Sequence, residues 1–292
     1  MQRGRSFYSR ILSLLFFLSC SPLLAHAQIE TAHRTGGMLL GVQAWTFNKF
    51  TVLEAVEKAA AAGSKNIELF PGQAVGKDFP GVGVGPDMGP AATEALQNQL
   101  KKFGVNVVAY GVTGIDKNEA SARKLFAWAK SLGIGILNTE SVDAIDTMDK
   151  MVKEFDIKVG FHDHPKTNNP NYKMWDPNYI YELVKNHDKR IGSCADTGHW
   201  VRSGIKPVDA LRALHGRVVS SHLKDLNVFS PDGHDVPYGT GVSDVKAILD
   251  ELHREGFRGS VSIEYEYNWD TSLPEVAQCI GYVAGYCAAH NY

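Results

Sequence analysis

From residue 38 onward, short apolar runs alternate with stretches of helical period. The runs cover 38–44, 66–70, 105–110, 134–138, 157–161, 191–194, 217–221 and 259–263. Between and after them, helical spacing predicts helices over 52–62, 91–103, 120–132, 142–155, 177–186, a stretch starting near Pro207, 242–255 and 274–289. Gly63, Gly104, Gly133 and Gly256 stand just past four of these stretches, where a helix commonly ends in a left-handed residue. The runs are apolar on consecutive residues rather than alternate ones, the pattern of parallel strands covered on both faces. Eight strand–helix alternations predict an α/β fold, a (β/α)8 TIM barrel, for which ~250 residues is typical. An open doubly wound sheet is the alternative. Against its nucleotide-binding forms, Trp45-Thr46-Phe47-Asn48 follows the first run where a glycine-rich phosphate loop would stand.

The N-terminus sets a boundary on this domain. Arg3, Arg5 and Arg10 surround the start of an apolar stretch, and Ala25-His26-Ala27 fits a small-x-small cleavage site. A signal peptide over 1–27 is expected, with the barrel domain over 38–292 and a periplasmic or secreted mature chain. Lipid attachment at Cys20 is the competing reading. Ser19 to Pro22 interrupts the apolar run short of the ~20 residues a membrane span needs. The formal charge of −2 and the absence of long basic runs speak against a nucleic-acid partner. Cys279 and Cys287 are eight residues apart on one expected helix, ~12 Å by helical rise and too far for a disulfide. With Cys194 in an apolar run, all three read as packing residues.

Candidate chemistry lies where the runs end. In such a barrel the C-terminal strand ends converge on the active face. Those ends carry Gln43 and Trp45, Glu68, Tyr110, Glu140, then His162, Asp163, His164 and Lys166, Asp196 and His199, His222 and Lys224, and finally Glu264 and Glu266. Taken singly, Asp196 reads as well as a helix cap, His222 as a core histidine, and Glu68 as the partner of a nearby lysine. Together the acids and histidines need a common partner, because buried charge is rare unless paired or metal-bound. A divalent cation serves: Asp196, His222 and Glu264 supply two carboxylates and an imidazole, with a fourth ligand from Glu140 or the fifth strand end. That set suits Mn²⁺ or Mg²⁺, with Co²⁺ and Zn²⁺ also compatible. Trp45, Trp175, Trp200 and Trp269 are candidate walls for a sugar ring.

The segments GVQAW, NIELF, FHDHP, ADTGHW, SSHLKD and SIEYE, in this order, resemble the xylose isomerase-like TIM barrel superfamily and its sugar phosphate isomerase/epimerase group. The resemblance covers essentially the whole expected mature chain. It implies a Glu-Asp-His-Glu metal site, onto which Asp196, His222 and Glu264 fall directly. The first Glu is assigned to Glu140, with His162 competing, because FHDHP stands where many members carry that acid. The resemblance implies His199 and Lys224 as substrate contacts, which His164, Glu68 and Trp45 would join. Glu264 would double as the acid/base, with Glu140 and His162 as the other catalytic candidates.

The implied activity is proton abstraction next to a carbonyl of a carbohydrate. Returning the proton gives an isomerase or epimerase; expelling a β-substituent gives a dehydratase or lyase on a keto-sugar or keto-glycoside. A barrel that binds sugar without turnover is the non-enzymatic alternative, and an oligomer is compatible with either. The same superfamily holds endonucleases with three zinc ions, and Asp196-Thr-Gly-His199 and Asp232-Gly-His234 both resemble their motifs. Those enzymes place histidines where this chain has Glu68 and Tyr110, and no basic groove is apparent.

Overall fold

Eight parallel strands close on one another in sequence order: β1 (Leu39–Gln43), β2 (Asn66–Leu69), β3 (Asn106–Tyr110), β4 (Ile136–Thr139), β5 (Lys158–His162), β6 (Ile191–Asp196), β7 (Val218–Leu223) and β8 (Ser260–Ile263). β8 returns to β1, pairing Leu39 with Ser260 and Val42 with Ile263. This computed structural model describes Met1 and residues 31–292. The expected signal peptide (Met1 apart) and Cys20 lie outside the described residues. Among the described residues no helix is long and apolar enough to cross a membrane.

Helices cover the barrel: α1 (Val52–Ala61), α2 (Gly89–Phe103), α3 (Glu119–Ser131), α4 (Ile145–Phe155), α5 (Pro177–Val184), α6 (Thr197–Arg202), α7 (Pro207–Ala213), α8 (Val245–Arg254) and α9 (Leu273–His290). Their starts follow local chemistry. Thr51 and Glu54 form a reciprocal capping box on α1, Asn118 caps α3, and Pro177 and Pro207 stand in first turns that need no N–H. Apolar side chains between helices and barrel, such as Phe126, Met151, Val184, Leu249 and Val283, are fully buried. Cys194, Cys279 and Cys287 are buried and free, in keeping with packing roles.

Two differences from the expected pattern bear on the site. The apolar runs understate β6 and β7, which continue through Asp196 and His222. Then α6 follows directly, a helix of six residues that is too short for a hydrophobic period to reveal. Asp196 ends the strand and starts this helix, its Oδ1 accepting from the His199 N–H at 2.8 Å. A register shift between Ser193 and Cys194 sets Asp196 directly opposite His222, which in turn faces Ser262 of β8.

Candidate functional site

At the C-terminal end of β5 to β8, His162, Asp196, His222 and Glu264 place one nitrogen or oxygen atom each within 4.8 Å of one another, all buried. Four consecutive strands supply one residue each. His162 Nε2 faces His222 Nδ1 at 3.0 Å, and His222 Nδ1 lies 3.1 Å from Glu264 Oε2. Asp196 Oδ2 lies 3.7 Å from His162 Nε2 and 3.5 Å from His199 Nε2. Asp196 Oδ2 has no hydrogen-bond partner among the described residues. Oδ1 is taken by the helix cap, and Oδ2 faces the cluster with the Lys224 ammonium 2.8 Å away.

The other side of His222 fixes its role. Its Nε2 donates to Glu68 Oε1 at 3.0 Å, which leaves Nδ1 turned toward the cluster. Glu68 is itself held by Asn138 Nδ2 at 2.7 Å and Ser262 Oγ at 2.6 Å, and Ser220 Oγ donates to Asn138 Oδ1 at 2.7 Å. Gly160 makes room for this layer: a Cβ there would sit 2.6 Å from Asn138 Oδ1. A carboxylate behind a histidine is the arrangement that orients metal-binding imidazoles and raises their basicity. Burial pushes His222 down, but Cys194, Glu68 and Glu264 push further the other way, leaving it well above the ordinary histidine range. A cation bound through Nδ1 would compete with a proton there.

The acids around the cluster divide into two kinds. Glu264 is held well below the usual carboxylate range, because Lys224 and His222 outweigh burial. Burial likewise opposes Asp196, yet the charges of His199 and Lys224 hold it down. Asp163 goes the opposite way: burial and the Asp196 charge raise it well above its ordinary value. Its Oδ1 accepts from the Asp196 N–H at 2.8 Å, so it supports the ligand backbone rather than joining the cluster.

Above the cluster opens a cavity of about 340 Å³, lined by Gln43, Trp45, Phe70, His164, His199 and Glu266 among others, with His162 and Glu264 on its floor. Trp45 is 40% exposed and packs edge-on against Phe70 and Trp269. His199 takes a hydrogen bond from Arg202 Nη1 at 3.1 Å on Nδ1, and burial lowers its pKa well below the ordinary value despite Asp196. His164 stacks on His199 with ring centres 5.1 Å apart.

Three expectations are changed by this geometry. Glu140, expected as the fourth ligand, is not in the four-residue cluster; His162 is. Glu140 lies one residue past β4 and turns to the loop side, where His164 Nδ1 and the Tyr172 hydroxyl each meet its Oε1 at 2.7 Å. It groups instead with His162 and His164. Glu68, expected at the substrate or beside a lysine, is fully buried behind His222. Lys224, expected to touch substrate, is fully buried and does not line the cavity. Its Nζ lies 2.8 Å from Asp196 Oδ2, Glu264 Oε2 and Glu266 Oε2. Of the tryptophans, Trp45 lines the cavity and Trp269 supports it, while Trp200 is in the core and Trp175 lies on the β5–α5 loop under Lys166.

Asn138, Arg202 and Asp235 are not marked as site residues by the sequence pattern. A polar residue inside an otherwise apolar run was the available signal for Asn138. Arg202 and Asp235 lie on α6 and the β7–α8 loop, where nothing local marks them.

The donor set fits a divalent cation: two imidazole nitrogens and two carboxylate oxygens converge, one oxygen lacks any hydrogen bond, and the histidine behind is oriented by a carboxylate. Comparisons with known proteins agree with this architecture. No curated protein matches the chain. Among solved structures, an uncharacterized protein of Parabacteroides distasonis ATCC 8503 is 28% identical, with a TM-score of 0.68 over 85% of this chain and 99% of that one. A D-tagatose 3-epimerase-like protein shares the fold at 17% identity and a TM-score of 0.66, covering 86% of this chain and 98% of its own. The IOLI protein, solved with a bound zinc atom, does so at 16% identity and 0.62, covering 87% and 99%. The family model described as xylose isomerase-like TIM barrel matches residues 56–281, and the chain belongs to that family.

Proposed function

We propose that the protein is a metal-dependent enzyme that removes a proton next to the carbonyl of a carbohydrate, an isomerase or epimerase in its simplest form. The observation that carries this reading is the convergence of His162, Asp196, His222 and Glu264, of which His162 and Glu264 line the floor of a cavity of about 340 Å³ with an aromatic wall. These four residues would hold the ion. Mn²⁺, Co²⁺ and Zn²⁺ suit two nitrogens and two oxygens better than Mg²⁺, which prefers oxygen. A bound cation supplies Lewis-acid polarisation of the substrate carbonyl. Glu264, ionised and facing the cavity, takes the proton. His199, kept neutral by burial, and His164 on the rim are placed to contact substrate hydroxyls, and Trp45 offers an apolar face to the ring.

The N-terminal segment adds a restriction on substrate. An exported enzyme meets non-phosphorylated sugars and glycosides, and among the described residues no cluster of arginines lines the cavity to grip a phosphate. The test is incubation with Mn²⁺ and a panel of ketoses and keto-glycosides in D₂O. Deuterium is expected at the carbon next to the carbonyl, with Glu264→Gln slowing exchange by roughly 10²–10⁴-fold. Exchange that persists in chelator, or its absence across the panel, overturns the reading. Product identity separates proton return from loss of a β-substituent.

A further inference from the structure

Lys224 is the most closely paired cation at the site, and two of its three partners belong to the metal donor set. Its chain is built in. Thr197 Oγ1 accepts from the Lys224 N–H at 2.8 Å and donates to the Lys224 carbonyl at 3.0 Å. Gly198 clears a path for the stem, since a Cβ there would lie 2.7 Å from Lys224 Cδ and 2.8 Å from Cβ. The ammonium does not treat its three carboxylates alike. At 2.8 Å from Glu266 Oε2 it makes a hydrogen bond. At the same distance from Asp196 Oδ2 it makes only an ion-pair contact, and that oxygen accepts no hydrogen bond at all. Glu266 lies on the cavity rim, outside the four-residue cluster, and is also within 3.4 Å of Arg202 Nη1.

We propose that Lys224 is a tethered cation that competes with the metal ion for Asp196 and Glu264, and that metal loading hands those two carboxylates to the ion while the ammonium keeps Glu266. This rests on the metal-centre reading above. Two cations on the same two oxygens repel strongly in a buried site. In the metal-free protein the ammonium screens three carboxylates from one another, which keeps the donors in place. The cost is a weaker metal site than the same donors would form alone. Glu266 is the residue that makes the exchange feasible, because it already lies 2.8 Å from the ammonium and gives the displaced charge a partner.

The experiment is a titration of the purified metal-free full chain with Co²⁺, followed by its visible absorption, for wild type, Lys224→Met, Glu266→Gln and the double variant. Lys224→Met is expected to bind one ion about tenfold or more tightly than wild type. Glu266→Gln is expected to weaken binding by roughly threefold or more, and to matter less once Lys224 is gone. Unchanged or weaker Co²⁺ affinity in Lys224→Met, at one ion per chain, overturns the competition and leaves the metal centre standing. No Co²⁺ bound by any variant overturns the metal centre and the competition with it. If Lys224→Met does not fold, Glu266→Gln decides: full wild-type affinity in that variant overturns the exchange.

Discussion

Asp235 is 1% exposed on the loop between β7 and α8, where Arg202 Nη2 donates to its Oδ2 at 3.2 Å. Its Oδ1 has no partner among the described residues. Burial outweighs Lys224 and Arg202 and raises its pKa to about 7. In the unfolded chain the group titrates at about 3.9. Between about pH 4 and 7 the folded form therefore holds a proton that the unfolded chain has released, and stability falls as pH rises through that window. Asp235→Asn is expected to remove that decline, shrinking the difference in urea midpoint between pH 5 and pH 8. An unchanged difference contradicts the assignment. Asp196 makes a second point at this scale. Read alone it is a helix cap, read with its neighbours a candidate ligand, and one oxygen caps α6 while the other faces the cluster. Single-residue alternatives were thus not exclusive, because a carboxylate has two oxygens that can serve different partners.

The strands were legible as elements because burial on both faces leaves no polar position to break the run, and the helices because their caps and closing glycines are local. Thr51 shows how local that code is: its Oγ1 accepts from the Glu54 N–H while Glu54 Oε2 takes the Thr51 N–H at 2.9 Å. Thr51→Ala is expected to cost about 1 kcal/mol in chemical denaturation, with activity unchanged. A loss below a few tenths would mean that packing against the barrel, rather than the cap, sets the start of α1. What escaped at this scale was α6, six residues long and defined by the cap that Asp196 provides. The register shift between β6 and β7 escaped as well, since pairing between strands leaves no mark in either strand's own sequence. That shift sets Asp196 across from His222.

Because β5, β6, β7 and β8 each contribute one donor, the site exists only when the barrel is closed. Ion binding at the proposed centre would then be coupled to folding of the whole molecule, since an unfolded chain offers the donors no common position. Metal at one hundred times its dissociation constant is expected to add about 2.7 kcal/mol of stability, visible as a rise of several degrees in Tm. Asp196→Asn keeps a capping oxygen for α6 but removes the charged oxygen from the donor set, so most of that rise should vanish, on top of a lower metal-free Tm from the lost ion pair with buried Lys224. An equal rise in both proteins would place the ion elsewhere.

The order of strands and helices, the closed barrel it implies, and the acids and histidines at successive strand ends could all be read along the chain. Each rests on burial, capping or composition within a few residues. Which of those side chains meet could not be read that way. His162 rather than Glu140 beside Asp196, Glu68 behind His222, and Lys224 between the carboxylates depend on strand register and on how far each side chain turns from its strand end. Those relations join residues 28 to 154 positions apart, and they come into being only when the barrel closes.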